Sequence, residues 1–324
     1  MNMLRLLSRL FIFTGTLALL IFSMAGEGRA ARCLYVSSYH AGYVWNDDIE
    51  HAIEEVLRGK CELKTFYMDG KRNSGAEFAA QKAGEAKELI DAWKPDVVIA
   101  ADDNVSKYLV KPYLRDVKIP VVFCGLNWTV EPYGYPYSNT TGMIEVGPIE
   151  PLVDMVKSVV PNARQGIFLS ADELTQFKEV DLSKKAYGKL GIAITHLPVK
   201  TMDEWEAGYL AAQQADFIIC GNNAGINDWD NSRAAGFVSR NASRFTVSYL
   251  DWMAPFAMLT MAKIAAEQGE WAAKTALLIL GGEDPKNIPI VANRRWNLFV
   301  NSALLDKAGF VLPIEIVRKA VKVE

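Results

Sequence analysis

Histidine and catalytic motifs are scarce in this 324-residue sequence, which has only three histidines. Its 35 lysines and arginines are outnumbered by 38 aspartates and glutamates, and no basic stripe stands out, so we expect no nucleic-acid partner. After the first thirty residues, no segment is apolar enough to span a bilayer. The sequence also has no low-complexity run and no short internal repeat.

The motifs of common enzyme classes are missing, including G-x-S-x-G, H-E-x-x-H and a Walker-type phosphate loop. Of the three histidines, His51 falls on a predicted helix, His196 falls in a predicted strand, and His40 has no partners for a catalytic triad. Asp102 and Asp103 could hold a metal or act as acid and base, although adjacent carboxylates more often cap a helix. We therefore expect no catalysis, no metal and no cofactor.

The first thirty residues have the pattern of an export signal. Two arginines precede the apolar run "LFIFTGTLALLIFSMA", and Gly28 and Ala30 are small residues at the positions that a signal peptidase recognises. We predict a signal peptide over residues 1–30, cleaved after Ala30, with Ala25 as the alternative, and a periplasmic protein. An uncleaved anchor is the competing interpretation, but the apolar run is shorter than the roughly 20 residues that a spanning helix needs.

Four cysteines remain in the mature chain, and export would place them in an oxidising compartment. Cys33 and Cys61 each start a predicted strand, so they form a disulfide if these strands are parallel neighbours; two buried thiols are the alternative. Cys124 and Cys220 end predicted strands and are expected to be free. Cys33 follows Arg32 instead of the small residues that precede a lipidated cysteine, so we expect no lipid anchor.

Short apolar runs alternate with amphipathic helices through the mature chain, and this pattern is typical of parallel strands covered on both faces. A Tyr-, Pro- and Gly-rich stretch at 128–142 interrupts the alternation, which then restarts. The sequence therefore predicts an α/β protein with two lobes and parallel sheets that face a cleft.

The predicted boundaries follow from this interruption. We expect an N-terminal lobe over 31–142, a C-terminal lobe over 143–252, and a tail over 253–324 that crosses between the lobes. Residues 253–280 are predicted to be helical, and residues 288–313 are predicted to add a strand and a helix.

Loops at the carboxyl ends of parallel strands form ligand sites in such folds. Here the predicted strand-end loops are "SYHAGYVW", "ADDN", "CGLNW", "SADE", "CGNNAG" and "YLDW". Aromatic faces with fixed Asn and Asp groups suit a small ligand with polar and apolar parts. The alternatives are that the aromatic residues of the first loop pack over the first helix, and that the asparagines stabilise turns.

Seven segments occur in a familiar order: "SYHAGYVWNDD", "YMDGKR", "KPDVVIAADDN", "PVVFCGLN", "TGMIE", "WMAPFAMLTMAKIAAEQGEWAA" and "IPIVANRRW". Together they resemble the ABC transporter substrate-binding protein family with a type 1 periplasmic-binding-protein fold. The resemblance covers nearly all of the mature chain. It implies two Rossmann-like lobes joined by a multi-strand hinge, a small-molecule ligand between them, and no cofactor or catalysis.

The resemblance also implies partners and site residues. Some relatives act with a membrane receptor such as a histidine kinase, and the expected partner is otherwise an ABC transporter permease in the inner membrane. Because the pocket of this fold forms from strand-end loops, the implied ligand-binding residues are Tyr39, His40, Trp45, Asp102, Asp103, Asn127, Glu145, Asn222, Asn223 and Trp252.

Overall fold

The computed structural model describes residues 30–73 and 75–323. The expected signal peptide therefore lies outside the described residues, apart from Ala30. No helix in the described part of the chain is both long enough and apolar enough to cross a membrane.

The described residues form two sheets with helices on their faces. The strands are β1 (Arg32–Ser37), β2 (Glu62–Tyr67), β3 (Val97–Ala101), β4 (Val121–Asn127), β5 (Thr140–Glu145), β6 (Gln165–Ala171), β7 (Ala193–Val199), β8 (Phe217–Cys220), β9 (Phe245–Ser248), β10 (Leu259–Lys263), β11 (Val291–Ala292), β12 (Trp296–Asn301) and β13 (Val321–Val323). The helices are α1 (Val44–Leu57), α2 (Ala76–Trp93), α3 (Asp102–Val105), α4 (Ile149–Val159), α5 (Leu174–Gly188), α6 (Met202–Ala212), α7 (Asn231–Asn241), α8 (Ala265–Leu280), α9 (Ser302–Ala308) and α10 (Ile314–Lys319). A π-helical segment over Ser106–Leu114 continues α3.

The first sheet has the strand order β11-β5-β4-β3-β1-β2, and every pair in it is parallel. Its central strands are buried on both faces, which is why they are continuous apolar runs in the sequence. One face packs against α1 and α8, and the other packs against α2 and the π-helical segment. This lobe is a three-layer α/β/α sandwich.

The second sheet has the order β13-β12-β10-β9-β8-β6-β7. Its pairs from β10 to β7 are parallel, whereas β12 runs antiparallel to β10. One apolar cluster joins this sheet to its helices, with Trp205, Tyr209 and Phe256 among its buried aromatic residues. The two mostly parallel sheets confirm the predicted α/β fold.

The chain crosses between the sheets at three places. It passes from β5 of the first sheet to α4 of the second lobe, from β10 of the second sheet to α8 of the first lobe, and from β11 to β12. Asn293 joins the first and third crossings, because its Oδ1 accepts from the Val146 amide at 2.7 Å and its Nδ2 donates to the Val146 carbonyl at 3.3 Å. These crossings form the multi-strand hinge.

Two details of the predicted organisation differ from the structure. The boundary between residues 142 and 143 falls inside β5, which pairs with β4 as far as Glu145, so the Tyr- and Pro-rich stretch returns to the first sheet instead of crossing. The prediction of a continuous helix over 253–280 is also wrong, because Leu259–Lys263 forms β10. Local composition there favours a helix, but pairing with β9 and β12 determines the conformation.

Helix α8 is fixed to the first lobe although it follows a strand of the second. A Cβ added at Gly269 would lie 2.1 Å from the Ile49 carbonyl oxygen, so only glycine allows α8 to approach α1 this closely. The Gln268 Oε1 atom accepts a hydrogen bond from the Gly125 amide at 2.9 Å. These contacts make α8 part of the first-lobe core.

A disulfide joins Cys33 of β1 to Cys61, which directly precedes β2, with a Cα–Cα distance of 6.1 Å. Cys124 and Cys220 are free and buried. Because β1 and β2 are parallel neighbours, the bridge lies at their amino ends, away from the edge where the strand-end loops gather.

The Cys33→Ala/Cys61→Ala variant should lower the free energy of unfolding by roughly 3 kcal/mol, since the bridge closes a 28-residue separation in the unfolded chain. Urea denaturation with and without reductant measures this loss. Reductant should destabilise the wild type and leave the variant unchanged. Alkylation of both cysteines in protein that was never reduced would contradict the bridge.

Candidate ligand-binding site

A cleft of about 600 Å³ lies between the lobes at the carboxyl ends of the strands. The first lobe lines it with residues at or beyond the ends of β1, β2, β3, β4 and β5, and the second lobe lines it with residues near the ends of β9 and β10. Six of the ten implied residues line the cleft, namely Tyr39, Trp45, Asp102, Asn127, Glu145 and Trp252. Its other lining residues are Gly42, Tyr43, Val44, Asp48, Lys71, Tyr249, Leu250, Asp251, Ala262, Lys263 and Ala265.

Aromatic rings form the first-lobe wall of the cleft. Tyr39 and Tyr43 meet edge to face with their centroids 5.1 Å apart. The Lys71 ammonium lies 4.9 Å from the Tyr39 centroid and 5.1 Å from the Tyr43 centroid, within cation–π range. Trp45 packs partly on the first-lobe core and also lines the cleft.

Asp102 is a buried carboxyl group at the start of α3. Its Oδ1 accepts hydrogen bonds from the Tyr39 hydroxyl at 3.2 Å and from the Asp103 amide at 2.6 Å. Burial, with the nearby Asp103 charge, raises the pKa of Asp102 to about 7. Its φ of 76° lies in the left-handed region, a conformation that costs free energy for a residue other than glycine. Ala101, not an aspartate, occupies the helix N-cap.

Asp103 is not part of the cleft lining, but it accepts a hydrogen bond from a lining residue. Its Oδ2 accepts from the Asn127 side-chain amide at 2.7 Å, and its Oδ1 accepts from the Tyr133 hydroxyl at 2.6 Å. The Asp103 carboxylate thereby holds the Asn127 side chain at the cleft surface. Asn127 therefore does more than stabilise a turn.

An ion pair crosses the cleft floor from one lobe to the other. Lys263, the last residue of β10, donates from Nζ to Oε1 of Glu145, the last residue of β5. The same ammonium lies 5.3 Å from the Trp45 ring centroid. Glu145 is only 6% exposed, and burial raises its pKa while Lys263 counteracts the rise. Burial likewise raises the pKa of Glu179, on α5 of the second lobe, to about 6, again against the effect of Lys263.

Three other implied residues lie outside the cleft lining. His40 has its Nδ1 3.9 Å from Asp69 Oδ1. Asn222 accepts from the Ala224 amide at 2.8 Å, so it stabilises its own turn as the alternative interpretation expects. Asn223 accepts from the Trp252 indole nitrogen at 3.2 Å, so it helps to position that tryptophan.

Six charged or aromatic lining residues were missed from the sequence, namely Tyr43, Asp48, Lys71, Tyr249, Asp251 and Lys263. Lys71 follows β2 in the segment "YMDGKR", whose strand end was not among the loops considered. Tyr249 and Asp251 lie in the loop "YLDW", where the family resemblance implies only Trp252. Lys263 carried no signal, because its strand was predicted to be helical.

Comparison with known sequences identifies the family. The family model that describes ABC transporter substrate binding proteins matches residues 62–324. The chain belongs to the ABC transporter substrate-binding protein family. Proteins of this family bind transport substrates and are not enzymes. A search of curated protein sequences returned no significant match.

Solved structures share the fold at low sequence identity. A ligand-free, open substrate-binding protein with adhesive properties from Clostridium difficile has 14% identity and a TM-score of 0.68, over 91% of this chain and 99% of that chain. The ABC domain from Streptococcus pneumonia in complex with L-Trp has 16% identity and a TM-score of 0.54, over 90% and 100%. A periplasmic ribose ABC transporter from Conexibacter woesei has 13% identity and a TM-score of 0.56, over 88% and 97%. The fold is the type 1 periplasmic-binding-protein clamshell.

The Asp102→Asn variant should gain stability relative to the wild type as the pH rises. The Asp102 pKa is about 7 in the folded protein and about 3.9 in an unfolded chain, so the folded state binds more protons between these values. Wild-type stability therefore falls across that window, by at most about 1.4 kcal/mol per pH unit, and the variant lacks this loss. Urea denaturation at pH 5, 6, 7 and 8 measures the free energy of unfolding of both proteins. From pH 5 to pH 8, that of Asp102→Asn should rise by roughly 2 kcal/mol relative to that of the wild type.

Asp116→Asn is the matched control, since Asp116 also has a positive φ but is exposed, and hydrogen bonds from Ser138 lower its pKa. The Asp116 carboxylate loses its contribution to stability only as the pH falls through that lowered pKa. The difference in the free energy of unfolding between Asp116→Asn and the wild type should therefore be constant from pH 5 to 8. An equally flat Asp102→Asn difference would contradict the assignment for Asp102.

The Lys263→Met variant should be destabilised by about 2 kcal/mol at pH 8, because it leaves the Glu145 carboxylate buried without its cation. The loss should shrink at pH 5, where the Glu145 carboxyl group can take up a proton. Urea denaturation measures both values. Lys274→Met is the control, because Lys274 pairs with Glu270 on the exposed side of α8 and should cost less than about 1 kcal/mol. Equal losses for the two variants would contradict a stabilising role for the cleft ion pair.

Proposed function

We propose that the protein captures a small molecule in the inter-lobe cleft and delivers it to the permease of an ABC transporter in the inner membrane. The observation that carries this proposal is the cleft, where side chains of both lobes face one space of about 600 Å³. A ligand that touches both walls stabilises the closed arrangement over the open one, because only the closed state offers all of its contacts. Family membership supports the transport role.

The chemistry of the lining suggests the kind of ligand. Tyr39, Tyr43 and Trp45 offer faces on which a flat apolar group can stack. Asp102 offers an acceptor or a negative charge at one side of these rings, and Lys71 offers a positive charge above two of them. We propose a small ligand with a flat or branched apolar part and polar groups of both charges, such as a zwitterion.

L-Tryptophan is a reasonable first probe because it has these features. The Streptococcus pneumonia neighbour is also in complex with L-Trp, but at 16% identity that likeness supports the fold and not the ligand. The proposed place of action is the periplasm, after removal of residues 1–30.

Native mass spectrometry of the purified protein should reveal a co-purified small molecule. Saturation with that molecule, or with L-tryptophan where calorimetry shows binding, should reduce the radius of gyration measured by small-angle scattering. Trp45→Ala should weaken binding by roughly ten- to hundredfold, since a desolvated aromatic contact is worth about 1–3 kcal/mol.

Trp271→Ala serves as the control, because Trp271 lies on α8, partly buried and outside the cleft lining, and its loss should spare affinity. An unchanged radius at saturation would overturn closure, and wild-type affinity in Trp45→Ala would overturn the first-lobe site. The delivery step has its own check. A gene neighbourhood that encodes a histidine kinase, and no permease or ATPase, would replace delivery with sensing.

A further inference from the structure

A second cavity, of about 640 Å³, lies beside the hinge and shares no lining residue with the ligand cleft. Its floor contains residues of two chain crossings, Val146 and Gly147 after β5 and Asn293 and Arg294 before β12. Its walls come from the start of α4, the second half of α5, and the side chains of Trp128 and Trp296. We call this cavity the hinge groove.

The inner surface of the hinge groove is mainly apolar and aromatic. The Trp128 ring packs closely on the hinge, since a Cβ added at Gly147 would lie 3.2 Å from its Cη2 atom. Trp296 lies at the start of β12, and both indoles are only partly buried. Ile149 and Leu182 complete the apolar lining. A concave space of this size with aromatic walls has the dimensions of a small-molecule site.

The charged residues at the groove are mostly basic. Lys185, Lys189 and Arg294 line it, against one carboxylate, that of Glu150. Lys189 and Glu150 neutralise each other at 2.9 Å. Within residues 30–73 and 75–323, no carboxylate lies at ion-pair distance from the side chains of Lys185 or Arg294. Within the described residues, the groove lining therefore carries two basic side chains without an ion-pair partner, while the Glu179 carboxyl group lies beside Gly147, with its Oε2 3.9 Å from a Cβ added there.

We propose that the hinge groove is a second binding site, which takes a small amphipathic anion. Its apolar body lies against the Trp128 and Trp296 indoles, and its carboxylate or sulfonate faces Lys185 and Arg294. This site needs neither the cleft ligand nor the permease, so it goes beyond the transport role. Because Trp128 belongs to the first lobe and α5 to the second, an occupant contacts both lobes and its binding is linked to their relative position.

The probe for this proposal is 8-anilinonaphthalene-1-sulfonate, an amphipathic anion whose fluorescence rises in apolar surroundings. Folded wild-type protein should bind it at one saturable site. Lys185→Glu/Arg294→Glu should weaken that binding by roughly tenfold, because two attractive charges become repulsive. Lys178→Glu/Lys184→Glu makes the same change in net charge at two exposed positions of α5 outside the groove lining, and it should leave the affinity unchanged.

Two further measurements distinguish binding in the hinge groove from binding elsewhere on the protein. The uncharged N-phenyl-1-naphthylamine should bind the wild type and Lys185→Glu/Arg294→Glu alike, whereas a parallel loss of both probes would overturn the anion preference. Trp252→Ala, in the cleft, should not alter binding of the sulfonate, and a loss there would place the probe in the cleft and overturn the second site. The second site would also be overturned if Lys178→Glu/Lys184→Glu weakened binding of the sulfonate as much as Lys185→Glu/Arg294→Glu does, or if the wild type bound the sulfonate at no saturable site. Melting temperatures confirm that each variant is folded.

Discussion

The connection of the two sheets by three chain crossings at one place is the constraint on which the rest of the architecture depends. Glu145 is the last residue of β5 and Lys263 the last residue of β10, so each stands immediately before a crossing. Two strands that end at the same hinge from opposite lobes have their last residues close together. The ion pair on the cleft floor is thus a direct result of the chain connectivity, and so is the position of the cleft above it.

The first-lobe half of the site could be predicted because it follows a general rule of parallel sheets. Tyr39 follows β1 in the next loop, Asp102 comes directly after β3, and Asn127 ends β4, so the carboxyl-edge rule places all three on one side. The rule locates loops, however, and not side chains. His40 is adjacent to Tyr39 but lies near Asp69, because the loop backbone directs the two side chains differently. The near-neutral pKa of Asp102 depends on burial, which the sequence does not reveal.

The second-lobe half was harder to predict, for two physical reasons. Its lining comes mainly from the ends of β9 and β10, whereas Asn222 and Asn223 follow β8 and are not part of the lining, although Asn223 accepts a hydrogen bond from Trp252. In addition, β10 is a strand by virtue of partners that are distant in sequence, most of all β12, which pairs with it some forty residues later. A five-residue strand whose partners are distant in sequence shows no recognisable hydrophobic periodicity. The position of Lys263 in the cleft could therefore not be predicted from the sequence.

The close approach of α8 to α1 has a mechanical consequence for the second crossing. Gly269 and Gln268 fasten α8 to the first lobe, and β10 is an interior strand of the second sheet, so at this crossing Ile264 is the one residue between the two lobes. Its backbone dihedrals, φ −112° and ψ 107°, are then the torsions available to that connection. A one-residue connection restricts sliding of one lobe past the other more than it restricts rotation about Ile264.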